Sequence, residues 1–206
     1  MLISKSKKLI FIHIPKNAGS FVKKYLSQIH DVNQNFYGVV KLNNKDIDLS
    51  HMNLNELKMF FPNNYDSTYS SFCILRKDIV QRFKAGYIEY TNHVKAYFKE
   101  EPLSVNELLN IFTYEIISRD HLYIHFRPQS CYTHSEDDKQ VVTYLIDIQT
   151  IVDGLNCVLE NKNIDIQINA NVTKVNEKAI KFNFELSDFE VKKILKLYER
   201  DIRLLL

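Results

Sequence analysis

Residues 8–21 read KLIFIHIPKNAGSF, and this stretch decides how the rest of the chain is organised. Lys8 to Ile14 is a short apolar run of β-formers closed by Pro15, the pattern of a buried strand. The next residues place Phe21, Val22, Tyr25, Leu26 and Ile29 on one face of a helix. Strand, tight loop and helix in that order leave Pro15, Lys16, Asn17, Ala18, Gly19 and Ser20 as the connection. Such a loop aims successive backbone N–H groups and a helix N-terminus at one point, which suits a phosphate. Lys16 adds a point charge and Ser20 a hydroxyl, while Gly19 permits a close approach that a Cβ would obstruct. The same residues also fit an ordinary strand–helix turn carrying a surface lysine. They do not fit a nucleotide-triphosphatase loop, G-x-x-x-x-G-K-[ST], because Lys16 precedes Gly19 and no first glycine exists.

The alternation continues outward. Asn53, with Glu56 three residues on, starts a second helix that Pro62 ends. Residues 70–75 (SSFCIL) form the next buried strand, and Val80, Phe83, Tyr87, Tyr90 and Val94 mark a long amphipathic helix. Ser104 and Glu107 open a further helix running to about Ser118, and residues 119–139 are polar and irregular. Residues 141–146 (VVTYLI) read as a third strand, with a helix through Leu159 behind it. Ser187 and Glu190 open the last helix, whose Val191, Ile194, Tyr198, Ile202 and Leu205 form one apolar stripe. Strands alternating with helices predict an α/β fold. The expectation is one domain over residues 1–206, a P-loop-like parallel sheet flanked by helices, with a helical C-terminal part.

A chain of 206 residues suffices for one such core and is short for two. Its 45% apolar content argues against disorder. A formal net charge of +2 supplies no global basic field for nucleic acid, so any anion site must be local. Cys73, Cys131 and Cys157 are far apart and lack metal-type spacing; Cys73 reads as a small core residue, and this usage fits a reducing compartment. His121 and His125 form an H-x-x-x-H pair, but no Glu follows His121, which excludes a zinc hydrolase, and no metal is expected. The N-terminal apolar run is well below the roughly 20 residues of a membrane span and has no small-residue cleavage site. A soluble cytoplasmic protein without an integral membrane segment is expected.

With these residues in view, FIHIPKNAGSF resembles the 5′-phosphosulfate loop of the Golgi-type and bacterial carbohydrate sulfotransferases, the heparan sulfate 2-O-sulfotransferases among them. The family pattern is close to I-P-K-[TN]-A-G-[ST]. Phe72-Cys73-Ile74-Leu75-Arg76, followed by Arg82-Phe83-Lys84-Ala85-Gly86-Tyr87, is similar to the family's strand-then-helix 3′-phosphate site. Phe126-Arg127-Pro128-Gln129-Ser130 is similar to its acceptor-region loop. Asn169 to Thr173, and Tyr198 with Asp201, are further matches in the expected order. The spacing from Arg76 to Arg82 is one residue longer than in the family, Lys77-Asp78-Ile79 replaces its Asp/Asn-Pro, and Ala85 stands at its serine position.

The resemblance implies transfer of a sulfuryl group from 3′-phosphoadenosine 5′-phosphosulfate (PAPS) to a hydroxyl of a carbohydrate-like acceptor, leaving 3′-phosphoadenosine 5′-phosphate (PAP). Pro15 through Phe21 would hold the 5′-phosphosulfate, with Lys16 neutralising the leaving phosphate. Arg76 is the implied partner of the 3′-phosphate, with Lys77 or Arg82 as substitutes; Arg82 equally fits a helix-surface ion pair. Arg127 and Gln129 are candidate acceptor contacts. His51, between the two phosphate blocks, is the candidate general base, since an imidazole titrates near neutrality. It fits a helix cap or surface residue as well, and Glu56 is the acidic alternative. His13, within the strand, reads as structural. Two other functions stay open: a nucleotide-binding module without catalysis, which Ala85 and the altered spacing favour, and a P-loop kinase of a small metabolite.

Overall fold

The computed structural model describes residues 1–32, 38–42, 45–64, 66–168 and 184–206. Strand β1 (Leu2–Ser4) precedes β2 (Leu9–Ile12), and helix α1 (Gly19–Leu26) follows. Strands β3 (Val39–Leu42) and β4 (Lys45–Asp48) pair antiparallel in a separate two-stranded sheet. Helix α2 (Leu54–Phe60), strand β5 (Ser70–Leu75) and helix α3 (Ile79–His93) come next. Then follow α4 (Val105–Ile111), α5 (Tyr114–Arg119), α6 (Ser130–Thr133), β6 (Tyr144–Asp147), α7 (Ile151–Asn161), α8 (Asp188–Leu197) and α9 (Glu199–Leu205).

The main sheet has the order β1-β2-β5-β6. β5 lies parallel to β2, with Leu9 opposite Ser70 and Ile12 opposite Cys73. β6 lies parallel to β5, with Phe72 opposite Tyr144. β1 runs antiparallel to β2, Leu2 facing Phe11, so the sheet is mixed rather than wholly parallel. The cause is connection length. Only residues 5–8 join β1 to β2, and so short a link can place the next strand only antiparallel. Helical crossovers separate the other three strands and leave them parallel.

Alternation along β2 and β5 sends side chains to both faces. Leu9, Phe11, Phe72 and Ile74 meet Val22 and Leu26 of α1 and Leu155 and Val158 of α7. Ile10, Ile12, Cys73 and Leu75 meet Met52, Leu54, Leu57 and Tyr132 on the other side. Cys73 is fully buried, and burial pushes its thiol pKa up, as a core residue requires. A third cluster, off the sheet, joins α3, α4 and α8 through Phe83, Tyr90, Leu108, Ile117, Phe126, Ile194 and Tyr198.

The capping patterns place three helix starts. Asn53 with Glu56, Ser104 with Glu107 and Ser187 with Glu190 each form a reciprocal capping box. Two expected helices are broken. The one from Ser104 stops at Ile111, because Phe112 is extended and the Thr113 hydroxyl accepts from Ile116 N to start α5. The last one breaks at Tyr198, whose hydroxyl donates to Phe126 O, a tertiary bond invisible to periodicity. The third strand starts later than its apolar run, at Tyr144. Among the described residues no helix is long and apolar enough to cross a membrane.

Candidate functional site

The loop from β2 to α1 carries backbone strain. Lys16 (φ 65°) and Ala18 (φ 57°) both adopt the left-handed conformation, costing on the order of 1 kcal/mol each for a side chain bearing a Cβ. Between them Asn17, only 1% exposed, turns inward. Its Nδ2 donates to Ile74 O at 2.7 Å and to Gln129 Oε1 at 2.6 Å, tying the loop to the end of β5. The amides of Asn17, Phe21 and Val22 bond to backbone carbonyls nearby. Those of Lys16, Ala18, Gly19 and Ser20 donate to no acceptor among the described residues, and no side chain caps α1. Several unspent N–H groups at a helix N-terminus can take an anion.

Gly19 is glycine because a ring lies on it. A Cβ there would sit 1.7 Å from His13 Nε2. The His13 ring stacks on Phe11 at 5.8 Å and lies 4.5 Å from the His51 ring, which in turn meets His125 at 5.5 Å. Three imidazoles thus line one side of the loop. His51 is 8% exposed, and its Nδ1 is 2.9 Å from His13 O. A carbonyl only accepts, so the network assigns the proton to Nδ1 and leaves Nε2 with its lone pair. Asp48 Oδ2 stands 4.0 Å from that Nε2. Burial pushes the His51 pKa below its usual value, against an opposing pull from Asp48. Burial, then the neighbouring His51, lowers His13 well below the ordinary value and His125 to about 3. At neutral pH all three are uncharged.

Two cations flank the loop in different states. Lys16 Nζ donates to Glu89 Oε2 at 3.0 Å. Arg76, at the end of β5, is gripped only by its backbone: its N–H donates to Gln129 Oε1 (2.9 Å) and its carbonyl accepts from Gln129 Nε2 (3.0 Å). Its guanidinium forms no hydrogen bond or ion pair among the described residues, and Nε is buried without a partner. Burial lowers its pKa while Asp78 pulls the other way, as expected for a cation with little to neutralise it. A comparison of the chain with protein-family models and with curated proteins finds no match to either. The site therefore rests on its own geometry.

That geometry redistributes several expected roles. Lys77 is paired with Asp147 at 3.1 Å, on the exposed side of the strand end. Arg82 is no surface ion pair: it is 1% exposed, its Nη2 donates to Arg127 O, and its guanidinium lies 5.8 Å from the Tyr198 ring centroid. Arg127 donates to both Glu56 oxygens (3.2 and 2.6 Å) and to Ser118 O (2.7 Å). Gln129 is 1% exposed, with its amide spent on Asn17 and Arg76. Arg82, Arg127 and Gln129 are thus internal struts rather than ligand-facing groups. Glu56 is likewise spent, on Arg127 and on the Asn53 amide at 2.8 Å. Asp201 is fully buried and accepts from Gln129 N and Ser130 N, both at 2.8 Å, so it holds the strut that holds Arg76. Asn169 to Thr173 lie outside the described residues.

Glu89, His125 and the position of His13 were not legible as site features. One signal existed. Gly86 interrupts the α3 pattern, and a Cβ there would meet His125 O at 2.8 Å. The glycine lets α3 press against residues 121–126, which brings Glu89 and His125 to the loop. His121, the other half of the H-x-x-x-H pair, stays exposed. Among the described residues no group of three or more His, Cys, Asp or Glu is arranged to hold a metal ion.

Proposed function

We propose that this chain transfers a sulfuryl group from PAPS to a hydroxyl of a carbohydrate-like acceptor. The observation that carries the reading is a pair of anion-accepting points on adjacent strand ends. One is the β2–α1 loop with its unspent N–H groups and Lys16; the other is the guanidinium of Arg76 just beyond β5, which has no hydrogen-bond or ion-pair partner among the described residues. Asn17 and Gln129 connect the two rigidly. A nucleotide carrying phosphates at both its 5′ and 3′ positions needs two such points; a nucleoside triphosphate needs one.

The chemistry follows from the placement. The acceptor oxygen forms a bond to sulfur as the bond from sulfur to the 5′-phosphate oxygen breaks, and the acceptor proton passes to a base. Lys16 and the loop amides face the charge that grows on the leaving phosphate. His51 Nε2, neutral and bearing its lone pair, is the base; Asp48 stabilises the imidazolium that results. His13 and His125 hold the His51 ring between them.

Thermal shift with PAP, adenosine 5′-phosphate and ATP tests the reading, because a ligand that binds only the native state raises its stability by mass action. PAP should raise the melting temperature strongly without magnesium, and ATP weakly. A magnesium-dependent preference for ATP would replace the proposal with a kinase. PAP binding without turnover on any sulfatable polysaccharide would reduce it to a nucleotide-binding module.

A further inference from the structure

Glu89 lies on α3, whose close approach to residues 121–126 through Gly86 fixes its position over the loop. Its carboxylate accepts from Lys16 Nζ at 3.0 Å, and the two side chains are 44% and 26% exposed, so the pair sits at the mouth of the site. Lys16 forms no other side-chain bond or ion pair among the described residues. Burial would raise the Glu89 pKa, but the bond from Lys16 overrides it and holds the carboxyl below its usual value, hence ionised. His125 and His93 also face this carboxylate.

We propose that Glu89 is the resident counter-ion of Lys16, displaced when a phosphate arrives, and that it thereby sets the affinity and selectivity of the loop for anions. Among the described residues Lys16 is the one side-chain cation bonded at the loop, and the neighbouring amides wait for an acceptor. A phosphate engaging both must come close to the carboxylate, and two anions cannot share one lysine without repulsion. The exchange favours ligands whose charge exceeds that of a carboxylate. A neutral or weakly charged ligand leaves the ion pair in place. The inference needs a phosphate at Lys16 and is independent of sulfuryl chemistry.

Calorimetric titration of wild type and Glu89→Gln with PAP, and separately with inorganic pyrophosphate, tests it. Glutamine keeps the shape and removes the competing charge. Loss of the competing ion pair and of the repulsion should tighten binding of both ligands about three- to tenfold. The gain should shrink in a Lys16→Ala background, where only the direct repulsion remains, and shrink with added salt. Glu89→Ala should behave like E89Q and serves if that variant does not fold. Equal or weaker binding of both ligands by the variants would show that Glu89 supports the ligand or the fold, and would overturn the inference alone. Tightened pyrophosphate binding without any PAP binding would uphold it while removing the PAPS reading. Failure of both ligands to bind wild type would end both.

Discussion

Gly19→Ala sets two effects of opposite sign against each other. Alanine in the first turn of α1 should by itself stabilise the chain by about 0.4–1 kcal/mol, through a smaller unfolded-state entropy. The new Cβ, however, would stand 1.7 Å from His13 Nε2 and 2.0 Å from Cδ2, where ordinary contact begins at 3.4 Å. The ring would have to retreat by about 1.7 Å, the difference between the two distances. Phe11 is stacked behind it and His51 lies 4.5 Å away, so a retreat disturbs both. Overpacking of this kind costs about 1–3 kcal/mol. The clash should win by about 1–2 kcal/mol, lowering the melting temperature by about 2–8 °C for a chain of this length. Calorimetry on Gly19→Ala, His13→Ala and the double variant measures it. The double variant should recover the loss, with a coupling of about 1–3 kcal/mol, because the ring is then gone. A Gly19→Ala protein at least as stable as wild type, or one whose loss adds to that of His13→Ala, would refute the account of why glycine stands here.

Arg76→Ala should weaken PAP binding by about 1–3 kcal/mol, the range for losing a charge-assisted hydrogen bond, and leave adenosine 5′-phosphate nearly unaffected; equal loss for both ligands would remove Arg76 from the 3′-phosphate. His51→Ala should leave PAP binding nearly intact while turnover falls about 10²–10⁴-fold, and near-normal turnover would return His51 to a structural role. Because burial lowers the pKa of His13, His51 and His125, the unfolded chain binds protons below about pH 6.5 that the folded chain refuses. Their contribution to stability is therefore complete above that pH and is lost as pH falls toward the folded values. A denaturant series from pH 7.5 to 4.5 should show it, and a flat profile would contradict neutral burial. Asp201→Ala should cost about 2–3 kcal/mol, read as a lower melting temperature, because it strands two buried amides.

Local chemistry made much of this protein readable from its residues. The strand–loop–helix of residues 8–26, the SSFCIL strand and the capping boxes at Asn53, Ser104 and Ser187 depend on neighbours within a few positions, where periodicity and side-chain capping act. The requirement for Gly19 was legible too, though not that His13 imposes it. Lys16 and Arg76 are the kind of residue that a local motif can suggest; whether each finds a partner is decided by the fold, which pairs the first with Glu89 and leaves the second without a hydrogen bond or ion pair among the described residues. The same holds for Arg127 and Gln129, whose side chains look available in sequence and are consumed by Glu56, Asn17 and Arg76 in space. The break at Tyr198 and the meeting of His13, His51 and His125 likewise arise from packing between segments dozens of residues apart, whereas the antiparallel β1 follows from its short link to β2. Hydrogen-bond saturation, burial and charge pairing are properties of the folded chain. They decide which polar residues remain free to act, and no local pattern encodes them.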